Sequence, residues 1–419
     1  MRRSDATTTV TQSVVAGGAA CPDSWGRQAR QSIARHEDKL RGKWSNMTIY
    51  RADTLFDGNQ VLGPGAVRVE NDRIVEVFSG PAVAQVRADI DFGSAILAPG
   101  FVDIHSHGGG GEAFTNGVEA ARTVIATHLY EGTTSIMASL VTDTLDHLES
   151  QIQQLTPLYD AGEILGVHLE GPWMAEEYKG AHDPQLLRDP ALDEVQRLCQ
   201  AGPVKMVTLA IERRGGLEAV RWLVSQGIIA APGHMNADYD VMKAALASGA
   251  QNVTHLFNAM RPIHHRQPGP IVAALETPGL PVELIADGVH SHAATVQFVF
   301  AAKGRDTVLV TDAMAAAGAP DGDYLLGPLE VEVRDAVARL KSNGSIAGST
   351  LTMSRAVRFA TYTAGVDIWM ALHAATARPA AVLGRTDIGV VAPGAYADLV
   401  VESSALRVQQ VFRRGQQVR

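Results

Sequence analysis

The 419-residue chain reads as an α/β protein, a (β/α)8 TIM-type barrel with a small β-sandwich domain built from both ends of the chain. Two observations predict this. Between residues 98 and 384, eight apolar runs of strand length alternate with helical patterns, and the segments on either side share a texture of short strands and tight turns. The expected domains are 98–384 for the barrel and 47–97 together with 385–419 for the β-domain.

Residues 1–46 fall outside both. They carry eight Lys or Arg against four Asp or Glu, a net +4 in a chain whose formal charge is -9, and they lack apolar periodicity. That is the composition of a disordered extension, so the functional protein is expected to begin at Met47. Arg2 and Arg3 ahead of Val14 to Ala20 outline an export signal, but two glycines, Thr11 and Gln12 dilute its apolar part, and a cytoplasmic location is expected. Cys21 and Cys199 cannot build a disulfide framework, which fits a reducing compartment.

From Ile49 to Leu97, runs such as Ala66 to Val69 and Ile74 to Val77 are broken by Asp57-Gly58, Gly63-Pro64-Gly65 and Asn71-Asp72, the pattern of antiparallel strands and turns. The same texture returns in Ile388 to Val391, Asp398 to Val401 and Val408 to Phe412. Between them lie the barrel strands, at Ala98 to His105, Thr134 to Val141, Leu165 to Glu170, Lys205 to Glu212, Ile228 to His234, Asn252 to Phe257, Val282 to Asp287 and Val308 to Asp312. Val118 to Glu131, Gly216 to Gln226 and Asp238 to Ser248 have the length and three-four apolar spacing of outer helices. Ala313 to Ser349, rich in Gly and Pro turns, interrupts the last unit where a lid is expected.

Hydrophobic content of 46% with 19% charged residues describes a packed globular protein. The net negative charge argues against a nucleic-acid partner, and no run approaches the roughly 18 apolar residues of a membrane span. The chemistry lies at the strand ends. Read at their carboxyl ends, where barrel active sites sit, the strands finish on His105 and His107, Glu170, His234, His255 and Asp312. In a strand the i, i+2 spacing of His105 and His107 puts both imidazoles on one face.

Imidazole and carboxylate ligands without thiolate point to an open catalytic site for a divalent metal, Zn²⁺ first, with Fe²⁺, Mn²⁺ or Co²⁺ as the other candidates. Two arrangements stay open. In one, Glu170 bridges an ion held by His105, His107 and Asp312 and another held by His234 and His255. In the other, a single ion sits on Glu170, His234 and His255. Water activated by the metal would give its proton to Asp312, the natural general base, which then returns it to a leaving group. His182 and His290 follow strand ends closely enough to meet a substrate. The backbone amides of Asn258-Ala259 and the guanidinium fork of Arg266 offer a local phosphate site.

These residues resemble the amidohydrolase superfamily and, within it, the N-acetylglucosamine-6-phosphate deacetylases. The resemblance covers Met47 to Arg419, and its carriers are Pro99-Gly-Phe-Val-Asp-Ile-His-Ser-His107, Leu169-Glu-Gly-Pro172, Lys179-Gly-Ala-His182, Gly233-His-Met-Asn-Ala237, Thr254-His-Leu-Phe-Asn-Ala-Met260, Ala286-Asp-Gly-Val-His290 and Val310-Thr-Asp-Ala-Met314. The resemblance implies hydrolysis of the acetamide of N-acetylglucosamine 6-phosphate, with Glu170, His234 and His255 on the principal ion, Asp312 as base, and His182 and His290 facing the substrate. It also implies a homodimer in which Arg266 reaches the partner's site to bind the sugar phosphate. Gln267 and Met235 stand where the family often has Glu and Ser, a departure that bears on substrate positioning. The competing readings are a cyclic-amide hydrolase of the dihydroorotase or hydantoinase type, which would want a carboxylated lysine where Glu170 stands, and a non-catalytic metal-binding barrel, which has no use for Asp312 as a base.

Overall fold

The computed structural model describes residues 47–419. The readings made for residues 1–46, including Cys21 and the export outline, lie outside the described residues. Among the described residues no helix is long and apolar enough to cross a membrane.

Both ends of the described chain enter one eight-stranded sheet. Its path runs Gln416–Gln417, Val408–Arg413, Leu399–Glu402, Ile96–Pro99, Met47–Phe56, Val61–Glu70 and Arg73–Ser79, with Ile90–Asp91 paired to Met47–Phe56. The expectation was a sandwich. The structure joins its strands in one continuous hydrogen-bonded path, and Tyr50 and Phe412, three strand-to-strand steps apart, bring tilted rings to 4.8 Å in a core with Leu55, Val67, Leu97 and Leu399. The strand alternation sends Phe56, Ile96, Ala98, Val400 and Val411 the other way, into the main core of the molecule.

Parallel strands and helices alternate through the body of the chain. Ala138–Val141, Val167–Glu170, Val204–Leu209 and Ile229–Pro232 form a four-stranded parallel sheet, Phe101–Asp103 pairs with Thr133–Ile136, and Val282–Ile285 pairs with Thr307–Val310. Outer helices Val118–Tyr130, Gly216–Ser225 and Tyr239–Ala247 fall where the apolar spacing places them, the last capped by Asp238, whose carboxylate accepts from Val241 N–H. Hydrogen bonds outside the sheets continue the order between them, among them Thr254 N–H to the Pro232 carbonyl at 3.1 Å, Leu256 N–H to the Glu283 carbonyl at 2.8 Å, and Asp312 N–H to the His105 carbonyl at 2.9 Å. The last of these brings the eighth expected strand against the first.

Three expectations change. Asn252 to Phe257 is not a strand but a turn anchored by one bridge, Val253 to Val282, because His255 (φ 21°) and Phe257 (φ 76°) leave the extended region. The run Ala98 to His105 is divided at Gly100 between the eight-stranded sheet and the first parallel strand; a Cβ there would come within 2.2 Å of Thr134 Oγ1. Ala313 to Ser349 is more ordered than a lid of turns: Gly322–Leu326, Leu329–Arg334 and Val337–Leu340 form an antiparallel sheet. Val331, Val333 and Leu340 close a small core with Val141, Met314 and Ala316, next to Asp312 in the chain.

Candidate active site

Each candidate ligand sits at or just beyond a strand's carboxyl end. Glu170 ends its strand, His105, His234 and Asp312 stand two residues past theirs, and His255 sits in the turn that follows the Val253 bridge. His234 (φ 47°), His255 (φ 21°) and Asp312 (φ 48°) all occupy the left-handed region, which costs a side-chain-bearing residue roughly 1–3 kcal/mol. Three such positions in one cluster mark a place where geometry outranks local stability.

The side chains converge. His105, His107, Glu170 and Asp312 bring one ligand atom each within 4.8 Å of one another, and Glu170, His234 and His255 do the same, so Glu170 belongs to both sets. Glu170 Oε1 lies 3.0 Å from His255 Nε2 and 3.1 Å from His234 Nε2, while its Oε2 lies 3.2 Å from His107 Nε2. Asp312 Oδ1 is 3.2 Å from His107 Nε2 and 3.6 Å from His105 Nε2. All of these side chains are buried.

The ring nitrogens on the far side show what the cluster wants. His107 Nδ1 lies 3.2 Å from the Ser139 carbonyl, His234 Nδ1 3.0 Å from the Tyr178 carbonyl, and His105 Nδ1 3.0 Å from Glu283 Oε2. Carbonyls and carboxylates only accept, so these three Nδ1 atoms carry protons and the neutral rings turn Nε2 lone pairs inward. Lone pairs of His105 and His107 then face each other at 3.2 Å, beside two carboxylates. Such a set of acceptors is repulsive unless a cation joins it, and its donor chemistry fits a divalent ion held by imidazole and carboxylate.

With no cation between them, the two carboxylates instead favour protons on the rings of His105 and His107, so the cluster gathers positive charge at its centre either way. Burial lowers the His105 pKa, but Glu170, Glu283 and Asp312 outweigh it and hold it well above the usual value; His107 behaves alike and is raised to about 9 by Asp312 and Glu170. His234, where burial wins over Glu170, is lowered to about 4. Glu170 and Asp312 are pushed up by burial, yet the histidines pull both well below the ordinary carboxylate range.

Of the other expected residues, His182 is buried, its Nε2 3.5 Å from Glu170 Oε2 and its Nδ1 2.8 Å from Thr142 Oγ1. His290 pairs with Asp287 at 2.7 Å. Burial pushes His290 down, but the Asp287 hydrogen bond raises it overall, and Asp312 adds to the rise. The amide of Asn258 is already taken by the His255 carbonyl at 2.9 Å, leaving Ala259 (φ 50°) as the amide to offer. Arg266 is exposed, its guanidinium against His265, and is not brought to the buried cluster.

Several supporting residues escaped the sequence. Glu283 backs His105. His168 packs edge-on under the His105 ring, centroids 4.6 Å apart, between Ser139 Oγ and Thr208 Oγ1. Asp103 accepts from Thr311 Oγ1 at 2.6 Å and so latches the first strand to the last. The available signal was a charged or polar residue inside an apolar run, costly to bury unless something pairs with it.

Known proteins resemble the chain over most of its length. The Amidohydrolase family profile matches residues 96–418. N-acetylglucosamine-6-phosphate deacetylase of Vibrio furnissii is 35% identical over 385 residues, spanning 89% of this chain and 96% of that protein. N-acetylgalactosamine-6-phosphate deacetylase of Escherichia coli O157:H7 is 36% identical, spanning 88% of this chain and 98% of that protein. The solved N-acetyl-D-glucosamine-6-phosphate deacetylase of Mycobacterium smegmatis superposes with a TM-score of 0.85 at 42% identity, over 89% of this chain and 100% of that one. With buried histidines and carboxylates at its strand ends, and relatives that match it nearly end to end, the chain belongs to the amidohydrolase family.

Proposed function

We propose that the protein deacetylates N-acetylglucosamine 6-phosphate to glucosamine 6-phosphate and acetate, on a closed (β/α)8 barrel. The buried convergence of His105, His107, Glu170, His234, His255 and Asp312 carries this reading, because a set of acceptors facing one another serves to hold a cation. The deacetylase relatives supply the substrate class.

On this reading His105, His107 and Asp312 would hold one divalent ion and His234 and His255 another, with Glu170 a member of both groups. Bound there, the metal supplies Lewis acidity for the acetamide carbonyl and for the attacking water. Asp312 is ionised despite its burial, so at neutral pH it accepts the water's proton and then gives it to the amine as the C–N bond breaks. His182 and His290 line the approach and orient the substrate. Arg266, exposed on its loop, reaches the sugar phosphate of a partner subunit in a homodimer, with the Ala259 amide in support. A cytoplasmic location belongs to the same reading.

The test is acetate release by metal-free protein reloaded with Zn²⁺, Fe²⁺, Mn²⁺ or Co²⁺, assayed on both N-acetylglucosamine 6-phosphate and N-acetylgalactosamine 6-phosphate. Faster turnover of the galacto substrate corrects the sugar assignment. Turnover of dihydroorotate or hydantoin in place of both sugars replaces the reaction.

A further inference from the structure

Glu283 has no part in the reaction as derived, yet it is fully buried and touches two arms of the cluster. It lies on strand Val282–Ile285. Its Oε2 accepts from His105 Nδ1 at 3.0 Å and from the His255 backbone N–H at 3.2 Å, and its Oε1 accepts from Asn252 Nδ2 at 2.7 Å. A buried carboxylate costs several kcal/mol unless donors surround it. Three donors explain how Glu283 is tolerated.

The imidazoles also differ in their backing. His107 and His234 rest on carbonyls, and His255 Nδ1 is buried with no hydrogen-bond partner. His105 alone among the four has a carboxylate behind it. A carboxylate in that position fixes the Nδ1–H tautomer, orients the ring and makes Nε2 a stronger donor to a metal. Its side-chain effect therefore falls on the His105 side of the cluster, and its contact with His255 is only through the main chain.

We propose that Glu283 is a positioning residue that sets the affinity of the ion shared by His105, His107, Glu170 and Asp312, so that it determines whether the chain carries two ions or one. This rests on the reading of the cluster as a divalent metal site. The ion on Glu170, His234 and His255 depends on Glu283 little.

The experiment measures Zn²⁺ per chain by elemental analysis and stepwise Zn²⁺ affinity by competition with a chromophoric chelator. It uses the full chain as wild type, as Glu283→Gln, as His105→Ala with His107→Ala, and as all three changes together. Expected are two ions in the wild type, one of them weakened on the order of 10–100-fold in Glu283→Gln, and no further effect of Glu283→Gln once both histidines are gone. Unchanged two-ion affinity in Glu283→Gln overturns the proposal. So does a loss that persists in the triple variant, or a wild type with one ion that neither change moves. A wild type that binds no ion overturns the metal reading itself. Asn252→Ala keeps the carboxylate and removes one donor, so it serves if Glu283→Gln does not fold: a smaller loss confined to the same ion supports the proposal, and a loss shared by both ions overturns it.

Discussion

Two groups of buried carboxylates sit in this molecule and behave in opposite ways. Glu170 and Asp312, at the carboxyl ends of parallel strands, are surrounded by imidazoles and stay ionised. Glu402, on strand Leu399–Glu402 of the eight-stranded sheet, is as fully buried, but neither of its oxygens has a hydrogen-bond partner, and burial pushes its pKa up to about 8. Burial is common to both groups. Company decides the charge, and the chain surrounds with histidines the two carboxylates that stay ionised.

The largest test of that contrast is Asp312→Asn. It keeps the shape and removes the proton acceptor, so kcat at saturating metal should fall by about two to four orders of magnitude. Near-normal turnover would break the link between ionisation and catalysis.

Glu402→Gln tests the other carboxylate. Its pKa is raised from 4.5 in the unfolded chain to about 8 when folded, so the folded protein binds the extra proton and stability is lost as pH rises through that window. Glu402→Gln should therefore gain on the wild type between pH 5 and 8, reaching on the order of a few kcal/mol, and the gap should level off above pH 8. Parallel unfolding curves at pH 5, 7 and 9 would show instead that an unseen partner satisfies Glu402.

Arg266→Ala concerns a charge left in solvent. Losing a charge-assisted contact should raise KM for the phosphorylated sugar roughly 10–100-fold and leave KM for N-acetylglucosamine nearly unchanged. Equal rises for both sugars would remove Arg266 from phosphate binding. The smallest effect is expected from deleting residues 1–46: kcat/KM should not change, and a loss of activity would place part of the functional protein ahead of Met47.

The residues that converge in the buried cluster were legible as candidates because each lies at or near the end of a short apolar run, and strand length and i, i+2 spacing are local properties. His105, His107, Glu170 and Asp312 needed nothing more. The segment around His255 was less legible, since Asn252 to Phe257 has strand composition, yet positive φ values turn it inward against local preference. The sheet that joins the two ends was partly legible: turns and alternation marked its strands, but that Ile96–Pro99 links Met47–Phe56 to Leu399–Glu402 is a long-range pairing.

By itself the sequence determined the residue types of the site, the alternation of strands and helices, and the pairing of the two ends of the described chain. Those follow from side-chain chemistry and periodicity within a few residues. Only the tertiary structure decided which imidazole nitrogen faces the centre, which carboxylates remain charged, and that Glu283 stands behind His105 from 178 positions away. Hydrogen bonds of that reach exist only once the strands lie side by side, and in a buried site they govern both orientation and charge.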